Sequence, residues 1–194
     1  MKSHLPFAVL APALLLGGCL SFGSEPPASL LTLTPAAMAP AGTGGSSEAG
    51  TALALADFDA PSAIDVTRVP VQVTDTELAY LKDAVWVEKP ARLFRRLIAE
   101  TIRTRSNRVV IDGDDPGALA ANRLTGTLRQ FGYDARSSSV VVIFDAVRPG
   151  EGNAVETRRF EAIVPGVAAD VSSVGPALNK AANDVAVQVA DWVG

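Results

Sequence analysis

The chain has a single cysteine, Cys19, and a single histidine, His4, and both fall within its first 19 residues. A domain built from residues 20–194 can hold no internal disulfide, no Cys/His zinc site and no Ser-His-Asp or Cys-His relay, because each needs residue types that are not there. Positive charge is also in the minority. There are 17 Lys and Arg against 21 Asp and Glu over 194 residues, a net charge of −4. Loss of Lys2 with an N-terminal leader makes it −5. Nucleic acid is excluded as a partner for such a surface, since phosphate binding relies on clustered Lys and Arg that release counterions.

No glycine-rich phosphate loop is present. Gly113-Asp114-Asp115-Pro116-Gly117 lacks the following lysine and the strand-to-helix setting, and Gly42 to Gly45 sits in a linker-like stretch. Nor does any apolar run reach the roughly 20 residues of a membrane-spanning helix. The remaining composition is ordinary for a globular protein, 48% hydrophobic and 20% charged, with room for one modest domain.

The N-terminus carries an export signal. Lys2 and His4 form a short polar head, Leu5 to Leu16 an apolar core, and Leu16-Gly17-Gly18-Cys19 the end. Those last four residues resemble the lipobox of bacterial lipoprotein signal peptides. The resemblance implies cleavage between Gly18 and Cys19, a diacylglycerol on the Cys19 thiol and an N-acyl chain on its amine. No other cofactor is expected. Each buried acyl methylene contributes about 0.8 kcal/mol, so two or three chains hold a domain firmly on a leaflet. Leu20 stands where an Asp retains many lipoproteins in the inner membrane, which places the expected anchor on the periplasmic face of the outer membrane.

Residues 19–50 read as a lipidated tether. They carry Pro26, Pro27, Pro35, Pro40 and the run Gly42 to Ser47, with one short strand at 30–34 around Leu30-Leu31-Thr32-Leu33. The folded domain is expected over 51–194. Strand patterns cover Thr51 to Asp57 and Ile64 to Val73, with a hairpin or irregular strand pair over Glu77 to Glu88. Pro90 opens a helix in which Phe94, Leu97, Ile98 and Ile102 recur at helical spacing to about Arg105. Its other face carries Arg92, Arg95, Arg96, Arg103 and Arg105 and reads as solvated, with some pairing to Glu100. A short strand at Arg108 to Ile111 leads into the turn Asp112 to Gly117. Leu124 to Tyr133, Ser139 to Val147 and Val155 to Val164 then form an antiparallel meander. A second helix from about Ser172 places Leu178, Ala182, Val185, Val189 and Trp192 on one apolar stripe. The fold class is α+β: an antiparallel-rich sheet packed against two helices.

Few residues suggest chemistry. The acidic turn Asp112, Asp114 and Asp115 is the nearest thing to a cation site, but no bidentate Glu follows at the calcium-loop distance, so a plain turn is the simpler reading. A carboxylate-dependent hydrolase would have to use these same residues. Asp57, Asp59 and Asp145 have no spacing that pairs them across a cleft. No catalytic residue and no metal ligand is assigned. Tyr80, Leu81 and Trp86, aromatic and aliphatic residues in a short peripheral segment, are the candidate partner-binding residues, with a role in the core as the competing reading.

The order of these segments resembles the ABC-type transport auxiliary lipoproteins, which include the PqiC type. The resemblance rests on the lipobox, the Leu-Leu-Thr-Leu strand, Ile64-Asp65-Val66-Thr67-Arg68-Val69-Pro70-Val71, the Tyr80 to Trp86 segment, and Pro90-Ala91-Arg92-Leu93. It continues in Arg158-Arg159-Phe160-Glu161-Ala162, Ala177-Leu178-Asn179-Lys180-Ala181-Ala182-Asn183 and Ala190-Asp191-Trp192-Val193. It implies an α/β sandwich and a non-enzymatic periplasmic component. Such a component works beside an ABC permease, its ATPase and an Mce-domain substrate-binding protein to move lipid or hydrophobic solute and maintain membrane integrity. It leaves room for a homo-oligomer. The chain departs from the family in the small-residue insert at 35–50 and in Val71-Gln72-Val73. The alternative function is a structural subunit of an envelope-spanning secretion or integrity complex, and whether the strands enclose an apolar cavity for lipid stays open.

Overall fold

The computed structural model describes residues 29–46, 51–106, 108–112, 122–152 and 154–194. The export signal, Gly18 and Cys19, Asp114 and Asp115 lie outside the described residues.

The meander forms where the patterns place it. β5 (Asn122–Asp134), β6 (Ser139–Pro149) and β7 (Val155–Pro165) are successive antiparallel neighbours. Alternation puts Phe144 of β6 opposite Leu128 of β5 and Phe160 of β7, on the face that is buried. A bulge at Arg129 interrupts β5 between Leu128 and Gln130. The extra residue resets the alternation, so Leu128 and Phe131, three apart, both point into the core.

The other edge of β5 is shared. β1 (Leu53–Leu55) runs parallel to Asn122–Leu124 and carries β4 (Val110–Asp112), also parallel, on its far side. A single bridge joins Asp59 to Thr127, and β2 (Arg68–Gln72) then runs parallel to Tyr133 and Asp134. β3 (Leu78–Val85) closes this side by antiparallel pairing with β2. The seven-stranded sheet is therefore mixed and open. The α+β class holds, whereas the antiparallel-rich character holds only for the meander and the β2–β3 hairpin. The segment Glu77 to Glu88 is one strand paired with β2, and Ile64 lies in a turn before β2.

Both helices cover one face. α1 (Pro90–Arg105) starts on its proline and buries Leu93, Phe94, Leu97, Ile98 and Ile102. α2 (Val171–Val193) is capped by Asp170, whose side chain accepts from the Ser173 N–H at 2.9 Å. It buries Leu178, Ala182, Val185 and Val189. Phe94 meets the Phe144 ring edge-on at 5.3 Å, and Phe58 lies 4.7 Å from the same ring, so Phe144 is the centre of an aromatic cluster between helix and sheet. The opposite face of β5–β6–β7, bearing Arg129, Ile143, Asp145, Arg159 and Ile163, has no helix over it among the described residues.

Candidate functional site

The stretch expected to be a loose tether is fastened to the helical layer. Leu31 bridges to Trp86, its N–H donating to the Val85 carbonyl at 2.7 Å and its carbonyl accepting from Val87 at 2.9 Å. The strand expected at 30–34 is thus a single bridge. Beyond it, the Thr34 N–H donates to Asn179 Oδ1 at 2.8 Å and the Ala36 N–H to Asn183 Oδ1 at 2.8 Å. Asn183 Nδ2 returns a bond to the Thr34 carbonyl at 3.0 Å. Farther on, the Ala39 N–H reaches Glu100 Oε1 of α1 at 2.6 Å. Two asparagine side chains one helical turn apart imitate the edge of a strand, offering acceptor and donor where a backbone would. Leu31 and Leu33 add partial burial against the core. Residues 31–39 thus form a strap that belongs to the domain. The Asn179 and Asn183 of the C-terminal motif acquire a physical role that their sequence context alone did not give them. The signal was their spacing of four on the polar face of α2.

The candidate partner residues separate. Trp86 is 2% exposed and packs on Phe131 at 5.4 Å, so it belongs to the core and offers no surface to a partner. Tyr80 and Leu81 are half-buried. The Tyr80 ring lies under the Arg68 guanidinium at 3.7 Å, and its hydroxyl donates to the Ala63 carbonyl at 3.5 Å. Three extra residues bulge out of β3 between Tyr80 and Val85, and Asp83 there adopts φ of 59°, in the left-handed region. Beside this hairpin, Pro61, Ile64, Pro70, Leu78 and Gly132 border a cleft of about 170 Å³.

The arginine face of α1 is only partly a solvated face. Arg95 is 5% exposed, with Nη1 at 2.8 Å from Asp112 Oδ1 and Nε at 3.6 Å from Asp57 Oδ1. Asp112 is therefore a structural partner that ties the end of β4 to α1, and Asp57 joins the same cluster. Arg96 pairs with Glu88, Arg103 with Glu100, and Arg105 with Asp191 at 2.8 Å. Among the described residues no cluster of His, Cys, Asp or Glu has the geometry to hold a metal ion.

Three arginines gather at the end of α2. Arg105 reaches Asp191, Arg108 Nη1 donates to the Val193 carbonyl at 2.8 Å, and Arg148 Nη1 donates to the Trp192 carbonyl at 2.6 Å. Arg108 and Arg148 satisfy terminal carbonyls, and all three oppose the negative end of the helix dipole. Arg148 also lies over the Trp192 ring at 4.4 Å, and that ring packs on Phe160 at 5.6 Å. Trp192 is half-buried at the rim of the core. The motifs at 158–162 and 190–193 thus meet in space.

Asp145, on the open face of the sheet, accepts from Arg159 at 2.6 and 2.8 Å and from Arg129 at 2.9 Å. These bonds, Arg159 first, hold its carboxyl at about 2. Asp134 is likewise held below the ordinary carboxylate range, chiefly by Arg136. Asp59 bridges to Thr127 through its backbone, and Thr127 stands opposite Asp145 on β6, so one strand separates the two acidic residues and the carboxylate of Asp145 is taken up by Arg159 and Arg129. Among the described residues no helix is long and apolar enough to cross a membrane.

A sequence model of the ABC-type transport auxiliary lipoprotein component matches residues 31–190. No curated protein matches the chain. A Xanthomonas campestris protein described under the family label DUF330 has the same fold, with a TM-score of 0.64, 20% identity, and coverage of 86% of this chain and 91% of that one. An uncharacterized protein of solved structure gives the same TM-score of 0.64 at 10% identity, covering 86% of this chain and 100% of that one. PelC from Paraburkholderia phytofirmans, solved as a dodecamer, matches with a TM-score of 0.45 at 15% identity over 78% of this chain and 93% of that one.

Proposed function

Since the chain belongs to the ABC-type transport auxiliary lipoprotein family, we propose that it is a lipid-anchored adaptor that helps an ABC transport system move lipid or hydrophobic solute across the envelope. The family is one of auxiliary transport components rather than of enzymes. In this reading Cys19 carries the acyl chains, the outer membrane holds the anchor, and the partners are an ABC permease with its ATPase and an Mce-domain substrate-binding protein.

The observation that carries the reading is the strap. Residues 31–39 are stitched to α2 and α1 through Asn179, Asn183 and Glu100. An anchor at Cys19 would therefore pull on a fixed line along the helical layer, not on a free tail. Residues 20–30 separate Cys19 from the start of the strap, so the strap's attachment point stays within about 40 Å of the lipid surface. A short leash with a defined attachment suits a protein that presents one side to partners in a narrow space. The described residues carry no constellation that suggests catalysis, and most of their arginines pair with carboxylates or with the last carbonyls of α2.

The test is co-purification of the full chain from detergent-solubilised envelope, followed by mass spectrometry of proteins and lipids. Recovery of a permease, its ATPase or an Mce-domain protein supports the reading, and bound lipid adds a carrier role. Recovery of secretion or peptidoglycan components alone would replace it with a structural role in an envelope-spanning complex.

A further inference from the structure

β7 ends the sheet with eleven residues whose outer edge pairs with no other described strand. The Gly150 N–H donates to the Ala154 carbonyl at 2.9 Å, and this register continues with Ala146 opposite Arg158 and Phe144 opposite Phe160. In an antiparallel ladder bonded pairs alternate with non-bonded ones. Even-numbered residues of β7 therefore turn their N–H and C=O toward β6, and odd-numbered ones turn theirs outward. One bond confirms the phase: Gln188 Nε2 of α2 reaches around the edge to the Glu161 carbonyl at 3.0 Å. The outward residues are Val155, Thr157, Arg159, Glu161 and Ile163. Val155 is 70% and Ile163 54% exposed, the two most exposed large apolar side chains of the sheet.

Charged residues normally protect such an edge from pairing. Here their order is self-complementary. With a twofold axis through Phe160, a second β7 running antiparallel sets Arg159 opposite Glu161 and Thr157 opposite Ile163, each twice. Moving the axis to Arg158 sets Arg159 against Thr157, and the axis at Arg159 sets Arg159 against itself, while the axis at Glu161 sets Glu161 against itself. Directly opposed like charges destabilise a strand pair and opposite ones stabilise it, so the register centred on Phe160 is favoured over both neighbours. The outward parity is right as well, since Arg159 and Glu161 then form a hydrogen-bonded pair. The Arg159 N–H of one copy takes over the Glu161 carbonyl that Gln188 holds in the single chain.

We infer that β7 is a homotypic docking edge, by which two copies of this chain join their sheets antiparallel about Phe160. The interface is isologous and closes after two copies. Arg159, already on Asp145, gains Glu161 of the second copy as another partner. Gln188 acts as a latch that competes for the same carbonyl.

Disulfide trapping in the full chain tests this. T157C/I163C places two thiols that lie far apart within one strand but opposite each other across the axis. Expression in a bacterial host and mild oxidation should give a reducible covalent dimer on a gel, absent from the parent chain that has Cys19 alone. Adding E161R, which leaves the Asp145–Arg159 pair in place, makes both symmetry-related pairs repulsive and should cut the dimer yield at least about tenfold. Adding Q188A to T157C/I163C should raise it, because the Glu161 carbonyl is then free for the second copy. Circular dichroism of each variant confirms the fold. No covalent dimer from T157C/I163C, or equal yields with and without E161R, would overturn the inference, and so would an oligomer that forms while these thiols stay unlinked.

Discussion

Replacing Asn179 and Asn183 with alanine is expected to free the middle of the strap while the domain stays folded. Three hydrogen bonds to the strap disappear, Thr34 N–H to Asn179, Ala36 N–H to Asn183, and Asn183 Nδ2 to the Thr34 carbonyl, together with the bond from Asn183 Nδ2 to the Asn179 carbonyl within α2. They lie near solvent, so each contributes about 0.5 to 1 kcal/mol net, and the strap loses about 2 kcal/mol of local stability. Alanine is the better helix former by about 0.5 kcal/mol at each site, which returns part of the loss to α2. Global stability should therefore fall by only about 1 kcal/mol, a Tm shift of about 2 to 4 °C for a domain of this size. Hydrogen exchange separates the two effects. The Thr34 and Ala36 amides should lose about thirty-fold in protection while those of β5 and β6 change little. Asn183→Asp keeps the acceptor for Ala36 but sets a carboxylate against the Thr34 carbonyl, and should fall between the parent and the double alanine variant. Unchanged exchange at Thr34 and Ala36 would refute the strap as a fastened element, and so would equal loss throughout the sheet.

Further outcomes are expected. Arg95→Ala should destabilise by about 3 kcal/mol in urea unfolding, because it strands Asp112, which is 12% exposed in its side chain; Asp112→Asn should cost less, as the amide can still accept from Arg95. The Asp145 carboxyl, held at about 2 by Arg159 and Arg129, contributes stability that is fully present above about pH 4 and is lost as pH falls through 2. Its NMR titration midpoint should rise toward the ordinary carboxylate range in Arg159→Ala, and an unmoved midpoint would count against the cluster. Gly132→Ala should destabilise by about 1 to 3 kcal/mol, because its methyl would overlap the Pro70 carbonyl. Gly175→Ala, whose methyl meets only the tip of Leu31 at 2.9 Å, should instead fall within about 1 kcal/mol of the parent in thermal unfolding, helped by helix propensity.

Local pattern determined much of this molecule. Pro90 and the spacing of Phe94, Leu97, Ile98 and Ile102 specify α1, and the stripe from Leu178 to Val189 specifies α2, because a helix face is fixed within a few turns of sequence. The three long strands of the meander were legible for the same reason, with short links that force antiparallel neighbours. The expected leader and lipobox are read from a linear pattern, and the family resemblance rests on segment order, which needs no coordinates.

Tertiary structure decided what depends on pairings distant in the chain. β1 is three residues long and lies parallel to residues nearly seventy positions away, a contact that no local period encodes. The bulge at Arg129 sends Leu128 and Phe131 to the same side, against simple alternation. Arg95 reads as one more charge on a basic helix face until β1 and β4 bring Asp57 and Asp112 to it. Trp86 shows no preference between surface and core until Phe131 closes over it. The strap reads as part of a linker because it sits between Pro26-Pro27 and the glycine-rich run from Gly42, a stretch that buries too little to fold alone. It is ordered by two asparagines about 145 residues further along the chain, and the self-complementary edge of β7 emerged only once pairing with β6 fixed which of its backbone groups face outward.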